Sequence, residues 1–332
     1  MAKAAAVTNL ETMSETPAFL DSGRPNVPDI VVPRGVTPFH LPGRPVRGRL
    51  IRLGVLADAL LTRHDNPPAV TLLAGKMLAL TAALATALKF KGVFSIQAKG
   101  DGPVSLMLAD CTDQGALRGY ARAGENKLDV LDEMAASDAA LLGEGYIAFS
   151  VDQGGDRERH QGIVAIEGES LTEMALHYFA TSEQLECALH LACAHTRSGW
   201  RAGALILERV AQGGEGNLTL SEAEQDESWR TATTLAGTLS DEELLDDTLP
   251  AEQLLYRLFH TEGVAADRPR PLAYGCRCTR AKLSAILENF GGGDLDAMVI
   301  DGDIAMTCEF CNIDFRFPRG EFPAAPSEVE TS

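Results

Sequence analysis

The sequence predicts an α+β protein with three folded parts: an antiparallel-sheet core domain with segregated helices, an acidic helical linker and a small C-terminal domain that contains four cysteines. Three observations support this prediction. Apolar runs of strand length come in pairs joined by turn signals, which favours hairpins over a doubly wound parallel sheet. A long acidic stretch follows these pairs, and two close pairs of cysteines lie near the C-terminus.

The overall composition excludes several classes of protein. The chain has 332 residues, 45% hydrophobic and 23% charged, as expected for a folded chain of about two domains. Its formal net charge of −18 disfavours nucleic acid as a partner, because phosphate backbones are also negative. The longest stretch without a charge or proline, residues 77–88, is too short to cross a membrane, and no apolar signal-peptide core is present at the N-terminus. We therefore expect a cytoplasmic protein.

The core domain is assigned to residues 41–214, preceded by a mobile N-terminal tail at residues 1–40. The tail is expected because prolines interrupt this segment and no periodicity is sustained. Within the core, a strand near Leu50 is followed by two helices, and the turn Gly100-Asp101-Gly102-Pro103 joins the first two strands of a meander. The further core elements are strands at 93–99, 104–108, 117–123, 146–151, 160–166, 188–194 and 204–210 and a helix at 171–179.

Residues 215–267 are assigned to the acidic helical linker. Residues 215–247 contain ten acids and one base, Arg230. Capping boxes at Ser221 and Ser240 predict two helix starts in this stretch. A later helix has an apolar stripe made of Leu254, Leu255, Leu258 and Phe259. Taken alone, such a charge run is typical of a solvated helix face.

The strongest chemical signal is a pair of cysteine motifs near the C-terminus. Cys276 and Cys278 form a C-x-C pair, and Cys308 and Cys311 form a C-x-x-C pair, with the 29 residues 279–307 between them. Two close pairs can supply the four thiolates of a tetrahedral zinc site without straining the backbone. We predict that residues 268–320 form a zinc-binding domain with one Zn²⁺ per chain, followed by a disordered tail at 321–332. Because four thiolates close the coordination shell, hydrolysis at the metal is not expected.

The cysteine motifs also allow other interpretations. A zinc ribbon that binds nucleic acid, or a regulatory zinc protein, is the alternative, although residues 268–332 carry seven bases against ten acids. A thioredoxin-like oxidoreductase would place its C-x-x-C on a βαβ pattern, which is not present here. The sequence contains no dinucleotide-binding GxGxxG in a strand-to-helix context and no catalytic constellation, so we expect no enzyme.

The remaining cysteines and the nearest histidine are expected to lie outside the metal site. Cys187 and Cys193 would lie about 20 Å apart along one strand, too far to share a metal. Together with Cys111, they are expected to be thiols of the core or of a sheet edge. His260 is expected on the surface or at the core edge of an amphipathic helix, and not as a fifth ligand.

These motifs, in an acidic α+β chain, resemble those of the redox-regulated chaperone family called heat shock protein 33. The resemblance covers roughly residues 40–318. Segments similar to the family, in family order, are Val46-Arg47-Gly48-Arg49-Leu50, Ala87-Leu88-Lys89-Phe90, Gly100-Asp101-Gly102-Pro103, Leu117-Arg118-Gly119, Gly145-Tyr146, Arg159-His160-Gln161-Gly162-Ile163-Val164, Tyr178-Phe179 and Ser182-Glu183-Gln184-Leu185. Cys111, Cys187 and Cys193 lie outside the family's switch motif.

The resemblance implies an ATP-independent holdase that is an inactive, zinc-bound monomer when reduced. Oxidation would release zinc and join Cys276 to Cys278 and Cys308 to Cys311 in disulfides. The oxidised protein would form a homodimer, bind unfolded client proteins and later pass them to a downstream foldase chaperone. The marginal linker would then expose its apolar residues to clients, unless these residues pack permanently on the core. The client-binding candidates are Leu244, Leu245, Leu254, Leu255, Leu258 and Phe259.

Overall fold

The computed structural model describes residues 28–87, 91–124, 136–153, 160–210 and 220–322. Several predicted features lie outside these ranges: most of the N-terminal tail, the turn at Gly154-Gly155, the first five linker residues and the C-terminal tail from residue 323. The described chain divides into two compact units. One is Pro28–Cys276, and the other consists of residues 277–322.

The larger unit is built on a sheet that has eleven strands among the described residues. These strands are β1 (Val31–His40), β2 (Val46–Arg52), β3 (Val93–Gly100), β4 (Val104–Thr112), β5 (Ala116–Ala123), β6 (Gly145–Asp152), β7 (His160–Ala165), β8 (Cys187–Thr196), β9 (Gly199–Arg209), β10 (Ala265–Ala266) and β11 (Arg270–Tyr274). Their order is β7-β6-β3-β4-β5-β11-β1-β2-β9-β8, and β10 pairs with β1. Among these described pairs, β11 with β5 is parallel and the others are antiparallel. The predicted α+β fold class is confirmed.

Seven α-helices among the described residues belong to this unit, together with a short π-helix, Phe179–Glu183. They are α1 (Val55–Leu61), α2 (Pro68–Ala87), α3 (Asp138–Leu142), α4 (Leu171–Tyr178), α5 (Glu222–Ala236), α6 (Asp241–Leu245) and α7 (Ala251–Phe259). Both predicted capping boxes are present. The side chains of Ser221 and Ser240 each accept a hydrogen bond from the backbone amide of the glutamate three residues later, and the backbone amide of each serine donates to the carboxylate of that glutamate.

Helix α2 lies at the centre of the first hydrophobic core, which also includes α1, α4 and one face of the sheet. It is longer than the uncharged stretch seen in the sequence, and among the described helices it alone has the length and apolar composition to cross a membrane. However, 89% of its apolar window is buried inside the protein, as expected for a central core helix. Its close approach to the sheet requires Gly75, since a Cβ there would lie 2.2 Å from Cys193 Sγ.

A second hydrophobic core lies between the sheet and the linker helices. The sheet contributes residues from β1, β2, β8 and β9, and the linker contributes residues from α5, α6, α7 and the connections between them. The buried members are Phe39, Leu41, Val46, Leu50, Ala192, Leu205, Leu207, Ala232, Ala236, Leu239, Leu244, Leu245, Leu254, Leu255, Leu258 and Phe259. In this structure the linker is therefore a folded layer of the larger unit.

The structure corrects three predicted boundaries. Residues 31–40, predicted to be part of the mobile tail, form β1. The pairing register of β1 with β11 shifts between Val32 and Val36, and this irregularity accommodates Pro33 inside the strand. The segment 268–276, predicted to open the zinc-binding domain, contains β11 and belongs to the larger sheet. At the other end, the smaller unit extends beyond residue 320, because Phe322 is buried and packs edge-on against Phe317.

The smaller unit contains two helices and a three-stranded antiparallel sheet among its described residues. These elements are α8 (Arg280–Leu287), α9 (Gly292–Ala297), β12 (Val299–Ile300), β13 (Asp303–Thr307) and β14 (Asp314–Pro318). Its buried apolar side chains are few: Leu287, Leu295, Ile304, Phe315, Phe317 and Phe322. Arg280 adds a cation–π contact to this small core, with its guanidinium carbon 4.3 Å from the centre of the Phe317 ring.

Candidate metal centre and linker interface

The four cysteines of the two motifs come together in one cluster. The sulfur atoms of Cys276, Cys278, Cys308 and Cys311 all lie within 4.8 Å of one another, and all four residues are buried. The sulfurs of Cys278 and Cys311 are 3.5 Å apart, far longer than a disulfide bond of about 2.0 Å. The structure thus brings together the residues that the sequence spacing selected.

The C-x-C motif lies between the end of β11 and the start of α8, and hydrogen bonds at both elements hold its backbone. It follows β11 directly, and the amide of Gly275 donates to the carbonyl of Leu117 on β5. After the motif, the side chain of Thr279 caps α8 by accepting from the amide of Lys282. The Nζ of Lys282 in turn donates to the carbonyl of Arg277, between the two cysteines. The motif is therefore held at both ends.

The C-x-x-C motif occupies the tight turn between β13 and β14. The amide of Cys308 donates to the carbonyl of Ile313, and the amide of Asn312 donates back to the carbonyl of Cys308. Asn312 has a φ of 52°, which an asparagine adopts more readily than most residues. The hydroxyl of Thr307 closes the turn with a hydrogen bond to the carboxylate of Asp314. The sulfurs of Cys308 and Cys311 lie within 4.8 Å of each other in this turn.

The cluster fits a tetrahedral metal site. With a metal–sulfur distance of about 2.3 Å, four thiolates around Zn²⁺ have neighbouring sulfurs roughly 3.8 Å apart. The distance of 3.5 Å between the sulfurs of Cys278 and Cys311, and the limit of 4.8 Å on all the sulfur–sulfur distances, accommodate this geometry. Four soft sulfur donors in a closed, buried set suit zinc as a structural metal better than hard cations, which prefer oxygen. These four residues are therefore candidate ligands for one metal ion.

The other cysteines and His260 lie away from this cluster. Cys111 is buried on β4, while Cys187 and Cys193 both lie on β8, as the sequence predicts. Burial raises the pKa of the Cys187 and Cys193 thiols to about 12. His260 follows α7 on the surface, and its Nδ1 lies 3.2 Å from the carbonyl of Tyr256.

The six client-binding candidates are all buried in the second core. Leu244 and Phe259 have no exposed surface, and Phe259 stacks on Phe39 of β1 with ring centres 5.5 Å apart. The apolar stripe thus packs on the core in this state. Burying side chains of this size contributes roughly 1.5–3 kcal/mol each to docking of the linker.

Polar contacts also fix the linker to the sheet. The guanidinium of Arg52 donates to the carbonyls of Glu243 and Leu244 at 2.6 and 2.8 Å, and also to that of Leu249. Burial lowers the pKa of Arg52, while the nearby Asp246 and Asp247 raise it. Further pairs between the sheet side and the linker side are Arg201–Asp247, Arg209–Asp226, Arg44–Glu262, Arg34–Glu252 and His190–Asp241.

These basic residues were missed in the sequence, although a signal for them exists. On β9, Arg201, Leu205, Leu207 and Arg209 occupy alternate positions and therefore share one face of the sheet. An arginine at each end of an apolar run on one face indicates that an amphipathic segment with acidic residues packs on that face. In the structure, the acidic linker packs there and pairs with both arginines.

Comparison with known proteins identifies the family. The family model described as Hsp33 protein matches residues 35–318. The 33 kDa chaperonin of Caulobacter vibrioides is 37% identical over 284 residues, covering 83% of this chain and 92% of its own length. The chain belongs to the Hsp33 family. The 33 kDa chaperonin of Pseudomonas aeruginosa is 35% identical over 278 residues, with coverages of 83% and 89%.

Membership of the Hsp33 family agrees with the observed fold. The crystal structure of the Thermotoga maritima 33 kDa chaperonin (heat shock protein 33 homolog) matches with a TM-score of 0.68 and 20% identity, over 87% of this chain and 96% of that one. The Hsp33 family supports a chaperone function for this protein, with unfolded proteins as its partners. The resemblance seen in the sequence is thus confirmed.

Proposed function

We propose that this protein is a redox-regulated, ATP-independent holdase of the cytoplasm. In the reduced state Cys276, Cys278, Cys308 and Cys311 bind one Zn²⁺ and the protein is an inactive monomer. Oxidation releases the metal, and the protein then binds unfolding proteins and prevents their aggregation. The observation that carries the proposal is the cluster of four buried cysteine sulfurs within 4.8 Å in a chain of the Hsp33 family.

Zinc holds the smaller unit together in this proposal. Residues 277–322 bury six large apolar side chains, which is a small core for a unit of this size. A structural zinc site contributes on the order of 10–16 kcal/mol of apparent folding free energy, more than such a core supplies. Loss of the metal therefore unfolds the unit.

The oxidation step balances with peroxide or hypochlorite as the oxidant. Cys276 and Cys278 lose two electrons and form one disulfide, and Cys308 and Cys311 do the same. With two protons from solvent, each pair of thiolates reduces one molecule of hydrogen peroxide to two molecules of water, or one hypochlorite ion to chloride and one molecule of water, and the oxidised sulfurs would no longer hold Zn²⁺. Thiolates bound to zinc are deprotonated, so the resting state presents nucleophilic sulfur to the oxidant. Each new disulfide closes a loop too short to restrain the chain.

The linker transmits this change to the client-binding residues. Along the chain it ends at β10 and β11, and β11 ends two residues before Cys276. When the segment after β11 unfolds, β11 loses the restraint at its C-terminal end, and the linker, whose acidic helices repel one another, leaves the sheet more readily. Its apolar residues Leu244, Leu245, Leu254, Leu255, Leu258 and Phe259 then become available to clients. Oxidised chains form a homodimer, and a downstream foldase chaperone receives the released clients.

Metal analysis tests the zinc site. The reduced wild-type protein is expected to contain one zinc per chain, and the variant C276S/C278S/C308S/C311S none. The variant C187S/C193S is the matched control and is expected to keep its zinc, because both cysteines lie on β8 away from the cluster. A quadruple variant that retains stoichiometric zinc would exclude these ligands.

A further inference from the structure

The sheet face under the linker combines an apolar centre with a basic rim. On β9 the alternating residues Leu205 and Leu207 lie between Arg201 and Arg209. On β2 the same face carries Val46 and Leu50 and ends at Arg52. Arg34, Arg44 and His190 add basic groups from β1, from the turn after it and from β8. We refer to Arg34, Arg44, Arg52, His190, Arg201 and Arg209 as the basic rim.

Each residue of the basic rim contacts the linker. Arg201 is nearly fully buried and binds Asp247 at 2.5 Å, and Arg209 binds Asp226 at 2.5 Å. Arg44 donates to Ser228 and also lies 3.1 Å from Glu262. Hydrogen bonds to Asp226 and Glu186 raise the pKa of Arg209. When the linker leaves, these cations lose most of their partners and surround an exposed apolar face.

We propose that this face recognises acidic amphipathic segments of unfolding proteins. The proposal rests on the function given above, because the face is free only after the linker has left. The linker itself is the template for the occupant: it covers the apolar centre with leucines and phenylalanine and places its carboxylates on the rim. A segment with the same arrangement replaces both the apolar contacts and the ion pairs, whereas a neutral apolar segment leaves Arg52 and Arg201 without the partners that the linker supplied.

The chain provides the probe for this recognition. A fluorescent peptide with the sequence of residues 240–260 contains the stripe of α7 and six carboxylates. Its neutral counterpart has every Asp replaced by Asn and every Glu by Gln, so the apolar contacts are unchanged. Both peptides are titrated into the oxidised, zinc-free full-length protein. The same preparation is assayed for suppression of aggregation of a heat-denaturing client.

We expect the acidic peptide to bind about tenfold more tightly than the neutral one at low salt, since exposed and half-buried ion pairs each contribute a factor of roughly 1.4–5. The preference should disappear in high salt. In the variant R44Q/R209Q, which removes two rim cations that are more exposed than Arg201, the preference should fall about threefold. The control K91Q/K99Q removes two cations away from this face, next to and on β3, and should behave as wild type.

The outcomes separate this inference from the proposed function. If the oxidised protein suppresses aggregation but binds both peptides equally, or binds neither, the basic rim does not select clients and the inference is wrong. If it neither suppresses aggregation nor binds a peptide, the holdase function fails and the inference fails with it. Equal loss of preference in R44Q/R209Q and K91Q/K99Q would show an effect of net charge and would also overturn the inference.

Discussion

The guanidinium of Arg52 reaches three carbonyl oxygens at and beyond the end of α6. These carbonyls have no partner within the short helix, so one side chain of β2 satisfies a helix terminus of the linker. The nearby Asp246 and Asp247 favour the charged form of this buried cation. At this position the hydrogen bonds of the linker depend on a residue of the core sheet.

Replacing Arg52 with Gln is expected to loosen α6 without unfolding the core. Hydrogen bonds to a charged group contribute about 1.5–3 kcal/mol, so loss of roughly 2 kcal/mol should make the amides of Leu244 and Leu249 exchange about thirtyfold faster. The exposed Lys99 on β3 gives the matched control, K99Q, which should leave these amides unchanged. Hydrogen exchange with residue resolution measures both. Unchanged exchange in R52Q would show that the apolar contacts alone hold α6.

The thiol of Cys187 is expected to resist alkylation in the native protein. Burial and the nearby Glu208 raise its pKa from 9.0 to about 12, so at pH 8 the thiolate is about a thousandfold rarer than for an ordinary cysteine. The rate of alkylation by iodoacetamide, mapped by mass spectrometry, should rise about tenfold per pH unit through pH 9 and beyond. A rate that levels off near pH 9, as in the denatured control, would contradict this.

Sequence reasoning succeeds for single residues whose chemistry is local and fails for those whose role depends on pairing. The four cysteines can be predicted as candidate ligands from the sequence, because cysteine ligands of structural zinc come in closely spaced pairs. The roles of Arg52 and Arg201 cannot be predicted in this way, because each binds a partner at least 46 residues away along the chain. Only the register of β2 and β9 brings these arginines to the same face.

At the scale of elements, the hairpins, the capping boxes and the apolar stripe of α7 follow from periodicity and turn chemistry. β1 cannot be predicted from periodicity, because Pro33 and Pro38 argue against a strand. In the structure, a bulge accommodates Pro33 in the sheet. β11 is also missed, because its partners are β5 and β1, which are remote in sequence. Local sequence patterns cannot predict pairing between strands that are so far apart in the sequence.

The linker helices α5 to α7 are expected to be the least stable structured part of the larger unit. They carry a dense negative charge, and much of their attachment consists of ion pairs with partly exposed members. In the reduced protein, their amides should exchange faster than those of β3, β4 and β5. Equal protection of both regions would contradict this.

At the scale of the whole molecule, the proposed function makes the cysteine cluster and the linker parts of one switch. The linker covers an apolar face of the sheet, and β11 connects it along the chain to the smaller unit, whose core is small. In this proposal, oxidation would release a bound zinc ion and make the covered residues available. The alternative, a zinc ribbon whose folded state is the active one, predicts the opposite response, because oxidation would then abolish binding.

Light scattering of a heat-denaturing client tests this account most directly. The protein is added either reduced and zinc-bound, or after treatment with peroxide under mild unfolding stress or with hypochlorite, with zinc release and free thiols measured on the same samples. We predict that the oxidised, zinc-free protein suppresses aggregation near stoichiometric amounts and that the reduced protein does not. The variant C187S/C193S should behave as wild type. If the oxidised protein suppresses aggregation no better than the reduced one, the redox switch proposed here does not exist.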